Sequence, residues 1–171
     1  MKNNDGGRRV YHTITGRALD LSGISAEDAA FLNEVTEKFR ACRNWTTFSS
    51  FWFGLFNRRG FKIALPVYRV CQDLEARLGI AEGKVAPPDY RDYLADFINE
   101  KYGSYDRFCE ETGTDMAQLS RAFSGRPELS LDALRKILHG LHLVMVLQPE
   151  EELLDRAAPE EAMRELDALW L

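Results

Sequence analysis

"FCEETGTDMAQLSRAFSGRPELSLDALRKILHGLH", Phe108 to His142, is the stretch that decides how the chain is read. Cys109 stands four residues before Gly113, and Leu119 stands six after it. A small residue lets two helices cross closely, a glycine takes the positive φ of a tight turn, and an apolar residue pins the second helix to the core. Asp115 and Ser130 each precede a run of helical spacing and read as N-caps. The spacing therefore predicts a helix ending near Gly113, a second over "DMAQLSRAFSG" burying Leu119 and Ala122, and a third burying Leu131, Leu134, Ile137, Leu138 and Leu141. Upstream, "DYRDYLADFINEKYG" starts at the candidate cap Asp89, places Tyr90, Leu94, Phe97 and Ile98 on one face and stops at Gly103. "SYDRFCEETG" follows, capped by Ser104 and burying Phe108 and Cys109. Four short helices thus run on from Asp89.

Working outward, Pro87-Pro88 cannot continue a helix and marks the division between two structural units. Before it, "RVYHTITGRALDLSG" carries β-branched residues on both sides of Thr15-Gly16 and reads as a short hairpin. Ser25 caps a helix with Phe31, Leu32, Val35 and Phe39 on one face. Asn44 caps a second, in which Trp45, Phe48, Trp52 and Phe56 form a stripe widened by Phe51, Phe53 and Leu55. A helix apolar over so much of its circumference is buried on several sides or carries an interface. A third helix starts near Pro66, buries Val67, Val70, Cys71, Leu74 and Leu78, and reads as closed by Gly79. After His142, alternation in "LHLVMVLQ" predicts a short strand that pairs with the same strand of a second subunit or with the residue 10–21 hairpin. The tail from Pro149 puts Met163, Leu166, Leu169 and Trp170 on one helical face. The expected organisation is an N-terminal helical extension over 1–85, a helical domain over 86–148 and an acidic helical tail over 149–171.

Charge is unevenly spread. The chain of 171 residues has net charge −5. Residues 1–70 hold 11 Lys/Arg against 6 Asp/Glu, and residues 147–171 hold 2 against 8. Whole-chain acidity is therefore a poor guide to any one surface. Three widely separated cysteines form no CxxC or Cys/His cluster, which argues against a zinc site and a disulfide framework. His139 and His142 are three apart, but no third ligand is near in sequence. The N-terminus lacks a signal-peptide pattern and the most aromatic stretch is too short to span a bilayer, so the chain reads as cytoplasmic, with no membrane partner. No GxSxG, P-loop or GxGxxG occurs. These readings predict no enzyme, no cofactor and no metal.

Residues from about 90 to 145 resemble the phage-repressor-like (Cro and lambda-repressor type) helix-turn-helix domain. Phe108-Cys109, Gly113, Leu119-Ser120-Arg121, Gly125, Ser130-Leu131, Leu134 and Leu141 fall in the family's register. The chain departs from it at Thr112, usually apolar, and at Leu129, usually proline. It departs again at Phe123, commonly glutamate, and at His142, usually glycine. The fold this implies is mainly α, a lambda-repressor-like bundle with an N-terminal helical extension and one or two short strands. In that family the third helix enters the major groove. Carried over by position, Met116, Ala117, Gln118 and Arg121 face base edges, Tyr105 contacts phosphate, and Arg126 reaches the backbone. Gln118 suits adenine and Arg121 suits guanine.

The resemblance implies a double-stranded-DNA-binding transcriptional regulator acting as a homodimer, with the apolar excess at 45–61 as the dimer contact. Residues 89–142 hold 7 Lys/Arg and 10 Asp/Glu, a balance of −3, where a DNA domain normally has a basic footprint. Arg8, Arg9, Arg58, Arg59 and Lys62 are the cations that could make up the deficit. The competing expectation is an antitoxin-like adaptor that keeps the fold for protein contact, with the N-terminal aromatic helix as docking surface for a protein partner.

Overall fold

In the computed structural model, which describes residues 9–60, 62–124 and 130–170, the residues around Thr15-Gly16 form a hairpin. Strand β1 (Val10–His12) pairs antiparallel with β2 (Ala18–Asp20), Tyr11 opposite Leu19. Gly16 takes the turn at φ 80°. Ser25 then caps α1 (Ala26–Ala41) by accepting from the Asp28 amide. Asn44 caps α2 (Trp45–Arg58) through the Thr47 amide. Helix α3 (Leu65–Ala81) begins with a proline in its first turn, where an amide would have no helical partner. Gly79 does not close α3, as its residue type suggests. It lies inside the helix, where a Cβ would overlap Val85 and crowd the Trp45 ring. The glycine that turns the chain is Gly83, at φ 67°.

The chain divides into two compact units at Pro87–Pro88 and again at Pro149–Glu150. The second unit holds α4 (Tyr90–Tyr102), α5 (Tyr105–Thr112), α6 (Met116–Phe123) and α7 (Leu131–Leu141). Each is capped at its start: Asp89 in a reciprocal box with Asp92, Ser104 by the Arg107 amide, Asp115 by the Ala117 and Gln118 amides, and Ser130 by the Ala133 amide. Gly103 and Gly113 leave α4 and α5 in left-handed conformation. The core of this unit is Leu94, Ile98, Tyr102, Phe108, Leu119, Ile137 and Leu141. Leu131, expected to be buried, is 67% exposed, and Phe97, placed on the apolar face of α4, is 41% exposed. Both sit at the edge of an apolar stripe wider than four short helices can cover.

Helices α8 (Glu150–Ala157) and α9 (Pro159–Trp170) belong to the first unit. The acidic tail is thus not a separate segment, and residues 88–149 are an insertion within the first unit's chain. Ala162, Leu166 and Leu169 of α9 join the core of Tyr11, Leu32, Phe39, Phe48, Trp52, Val70 and Leu74. At its centre lies a polar knot. Arg77, 1% exposed, donates through Nε to Asp73 at 2.7 Å, and the Tyr11 hydroxyl donates to the same carboxylate at 2.6 Å. The other Asp73 oxygen accepts the Ile14 amide at 2.8 Å. The Arg77 guanidinium also donates to the carbonyls of His12, Arg156 and Ala158. One side chain therefore ties hairpin, α3 and the α8–α9 corner. One donor meets the Asp73 carboxylate, and three bonds satisfy carbonyls that the hairpin and the corner would otherwise leave unpaired. Burial first, then the Asp73 charge, hold the Tyr11 phenol well above its ordinary range.

The predicted strand after α7 does not form. Residues 143–149 have no ladder, and among the described residues the only sheet is β1–β2. A single short strand without a pairing partner is not stable. Val144, Val146 and Leu147 are accordingly 79% exposed or more. No helix among the described residues is long and apolar enough to cross a membrane.

Candidate nucleic-acid interface

The α5–α6 corner is built as its sequence directs. Gly113 sits at φ 70°, ψ 18°, and its amide closes on the Cys109 carbonyl at 2.9 Å. Thr112 takes the place of the usual apolar residue. Its hydroxyl donates back to the Phe108 carbonyl at 2.7 Å and shares a hydrogen with Thr114 at 2.8 Å. Its methyl lies against Gly140 of α7, where an added Cβ would come within 3.0 Å. A β-branched alcohol therefore serves as an apolar contact here, with its polar atom satisfied locally.

On α6, Leu119 and Ala122 are buried while Ala117, Gln118 and Arg121 are exposed, and Met116 is half-buried. The three exposed residues fall on one side because positions three and four apart share a helix face. Arg121 lies back along its own helix, its Nε donating to the Ala117 carbonyl at 3.1 Å. Tyr105 is half-buried, its ring stacked on Phe123 with centroids 5.2 Å apart and 14° between planes. Phe123, which stands where the resembled family carries glutamate, is what fixes that ring. Arg126 lies outside the described residues, as does Arg8.

The electrostatics are mixed. Asp115 accepts two amides at the start of α6, offsetting the positive end of that helix with a full negative charge. Arg107 is engaged by Glu111 at 2.7 Å, and Arg91 by Asp89. Lys101 turns to the carbonyls of Gly140 and Leu141 at the end of α7. Arg135 and Lys136, on the exposed side of α7, have no ion-pair partner among the described residues. Lys136 shares an open cleft with Gly113, Thr114, Asp115, Gln118 and His139. It is a cation lining the same cleft as Gln118, which sequence spacing does not reveal, because the cleft forms only where α7 packs on the corner.

Neither the half-buried Cys109 nor the buried Cys71 is primed for attack. Burial first, then the carboxylates of Asp106 and Asp115, raise the Cys109 thiol above its ordinary value. Burial raises Cys71 much further. A protonated thiol is a poor nucleophile. No three His, Cys, Asp or Glu side chains gather in metal-binding geometry among the described residues. No family model, no curated protein and no solved structure matches this chain.

Proposed function

We propose that this protein is a sequence-specific double-stranded-DNA-binding regulator of transcription, acting as a dimer in the cytoplasm, with α5 and α6 as a repressor-like helix-turn-helix. One observation carries the reading: α6 leaves a tight glycine corner with Leu119 and Ala122 inward and Ala117, Gln118 and Arg121 together outward. Such a helix presents a glutamine and an arginine, the side chains suited to adenine and guanine edges, on one short face. Tyr105 and the capped start of α5 are the phosphate contacts, and Met116 and Ala117 pack on thymine methyls. Arg126 completes the backbone contacts. Lys136, lining the same cleft as Gln118, adds a phosphate contact. No catalytic role and no cofactor are assigned.

The acids around the corner favour the second reading, an antitoxin-like adaptor that meets protein through this corner. Asp106, Glu110, Glu111 and Asp115 are all exposed, and each opposes phosphate. Selection of bound duplexes from a random pool, followed by a salt titration of the selected sequence, separates the two. Enrichment of a dyad sequence with affinity falling steeply as salt rises supports DNA binding; no enrichment, or affinity indifferent to salt, overturns it. Arg121→Ala should then relax selection at one base pair and leave the fold intact. Uniform loss on every sequence reassigns Arg121 to phosphate.

A further inference from the structure

Between Glu37 and Asp73 the chain runs 35 residues without one Asp or Glu, while carrying seven Lys and Arg. In a chain of net charge −5 that is a concentrated exception. The stretch supplies the end of α1, all of α2 and the first half of α3. Four of its cations are engaged. Lys38 lies over the Phe51 ring, Arg40 binds Glu37 and Asp167, Arg43 pairs with Glu160, and Arg59 pairs with Glu27 and Asp28. The other three, Arg58, Lys62 and Arg69, have no carboxylate partner among the described residues; Arg69 reaches only the Gln72 amide oxygen, at 3.3 Å.

Two of these three, Lys62 and Arg69, border an apolar surface. Phe53 is 47% exposed and Leu65 is 64% exposed. Phe56 and Tyr68 lie half-buried, with ring centroids 5.3 Å apart, and Phe56 is 6.2 Å from Phe53. Lys62 lies in the α2–α3 connection, and Arg69 sits one turn after Leu65 on the same face of α3, whereas Arg58 lies on the Gly54 side of α2, away from Phe53 and Phe56. The floor is fixed. The Trp52 indole donates to Glu75 at 2.8 Å and meets the Tyr68 ring edge-on at 5.7 Å. A rigid apolar centre with a polar rim is the usual anatomy of a protein docking site, and rigidity lowers the entropy lost on binding.

We propose that this α2–α3 face docks an acidic, amphipathic segment of another protein, whose apolar side chains cover Phe53 and Leu65 while its carboxylates meet Lys62 and Arg69. Charge complementarity selects the partner: the one carboxylate of the floor, Glu75, is taken by the Trp52 indole and the Ser49 hydroxyl, so Lys62 and Arg69 are left for carboxylates of the occupant. A nucleic acid strand fits less well. Leu65, the most exposed apolar residue of the surface, has no ring face for a base, and Phe53 and Phe56 tilt against each other at 53°. The inference uses no residue of the α5–α6 corner, since all its residues belong to the first unit, but it gives the 45–61 face to a partner protein in place of the expected dimer contact.

Three synthetic peptides titrated into the isotope-labelled full chain test it: an amphipathic helix with leucines on one face and glutamates elsewhere, its lysine counterpart, and an acidic scramble. The first should give saturable shifts at the amides of Phe53, Phe56, Leu65 and Tyr68, and the other two should not. Leu65→Glu and Lys62→Glu alter exposed side chains, so both variants should keep the parent's unfolding temperature and each weaken the peptide about ten-fold or more. Absence of saturable binding, equal binding of the lysine peptide or the scramble, or shifts confined to other residues overturns the proposal. So does tighter binding of a single-stranded oligonucleotide or an anionic vesicle. Self-association of the chain that Leu65→Glu abolishes would make a second copy the occupant and overturn it as well.

Discussion

The two units of this chain solve the same problem in different ways. The second gathers seven buried apolar side chains from four consecutive short helices, each started by a capping side chain within its own first turn. Its departures from the resembled pattern are absorbed locally: Thr112 satisfies its hydroxyl on its own helix, and Phe123 stacks on Tyr105. The first unit draws its core from the hairpin, three helices and a C-terminal pair separated from them by the whole second unit. At its centre it buries an arginine and an aspartate that only the complete fold can satisfy. Local caps make a unit whose parts are each favourable alone. A buried ionic knot makes a unit that holds only when its remote parts meet, since a buried charge without its partner is costly.

The largest test of that contrast is Arg77→Ala. It strands the Asp73 carboxylate in the core and frees the carbonyls of His12, Arg156 and Ala158, and should cost the first unit about 3–5 kcal/mol. All three tryptophans lie in that unit, so their fluorescence follows its unfolding, while amide exchange at Phe108, Leu119 and Ile137 follows the second. A uniform loss in both units would break the comparison. Leu119→Ala is the counterpart, expected to cost the second unit about 3 kcal/mol through the lost burial and the cavity left behind. Tryptophan fluorescence should report the first unit's transition unmoved.

Smaller effects sharpen the same difference. His142 ends α7 at φ 58°, ψ 40°, the left-handed conformation that glycine adopts without cost. His142→Gly should therefore stabilise the second unit by about 1 kcal/mol, read as a shift in denaturant midpoint. An unchanged or lower midpoint would mean that the His142 side chain compensates its own backbone. The smallest effect is on pH. The Tyr11 phenol is raised, by burial and then by Asp73, so the folded state holds its proton more tightly than the unfolded chain does. Its contribution is full below the unfolded value, about 10, and is lost as pH rises through the folded value. Alkaline unfolding of the first unit should thus become shallower in Tyr11→Phe, and an unchanged slope would remove the phenol from the account.

The candidate interface was legible in part. Cys109, Gly113, Asp115, Leu119 and Ala122 could be placed from spacing, because a cap, a glycine turn and a helical stripe are decided within a few residues. Asp115's double role could be named as a cap from sequence, but its charge in the cleft with Gln118 and Lys136 could not. The stacking of Tyr105 on Phe123 and the cleft shared by Lys136 and Gln118 depend on how α5, α6 and α7 cross. The misread positions have the same cause. Gly79 was taken as a stop because glycine often ends helices, whereas Val85 and Trp45 require it to be small. The "LHLVMVLQ" alternation predicted a strand, but a strand needs a neighbour and the chain offers none to it among the described residues.

By itself the sequence determined the helices, their caps, the hairpin and the division at Pro87-Pro88, since each depends on backbone preferences and hydrogen bonds spanning a few residues. It also determined the uneven charge. Only the tertiary structure decided that the acidic C-terminal helices complete the first unit. Only there does Arg77 meet the carbonyls of Arg156 and Ala158, some 80 positions away in the chain. No local pattern encodes a bond of that range; it forms because a buried guanidinium needs acceptors, and the α8–α9 corner supplies two beyond those of Asp73 and His12.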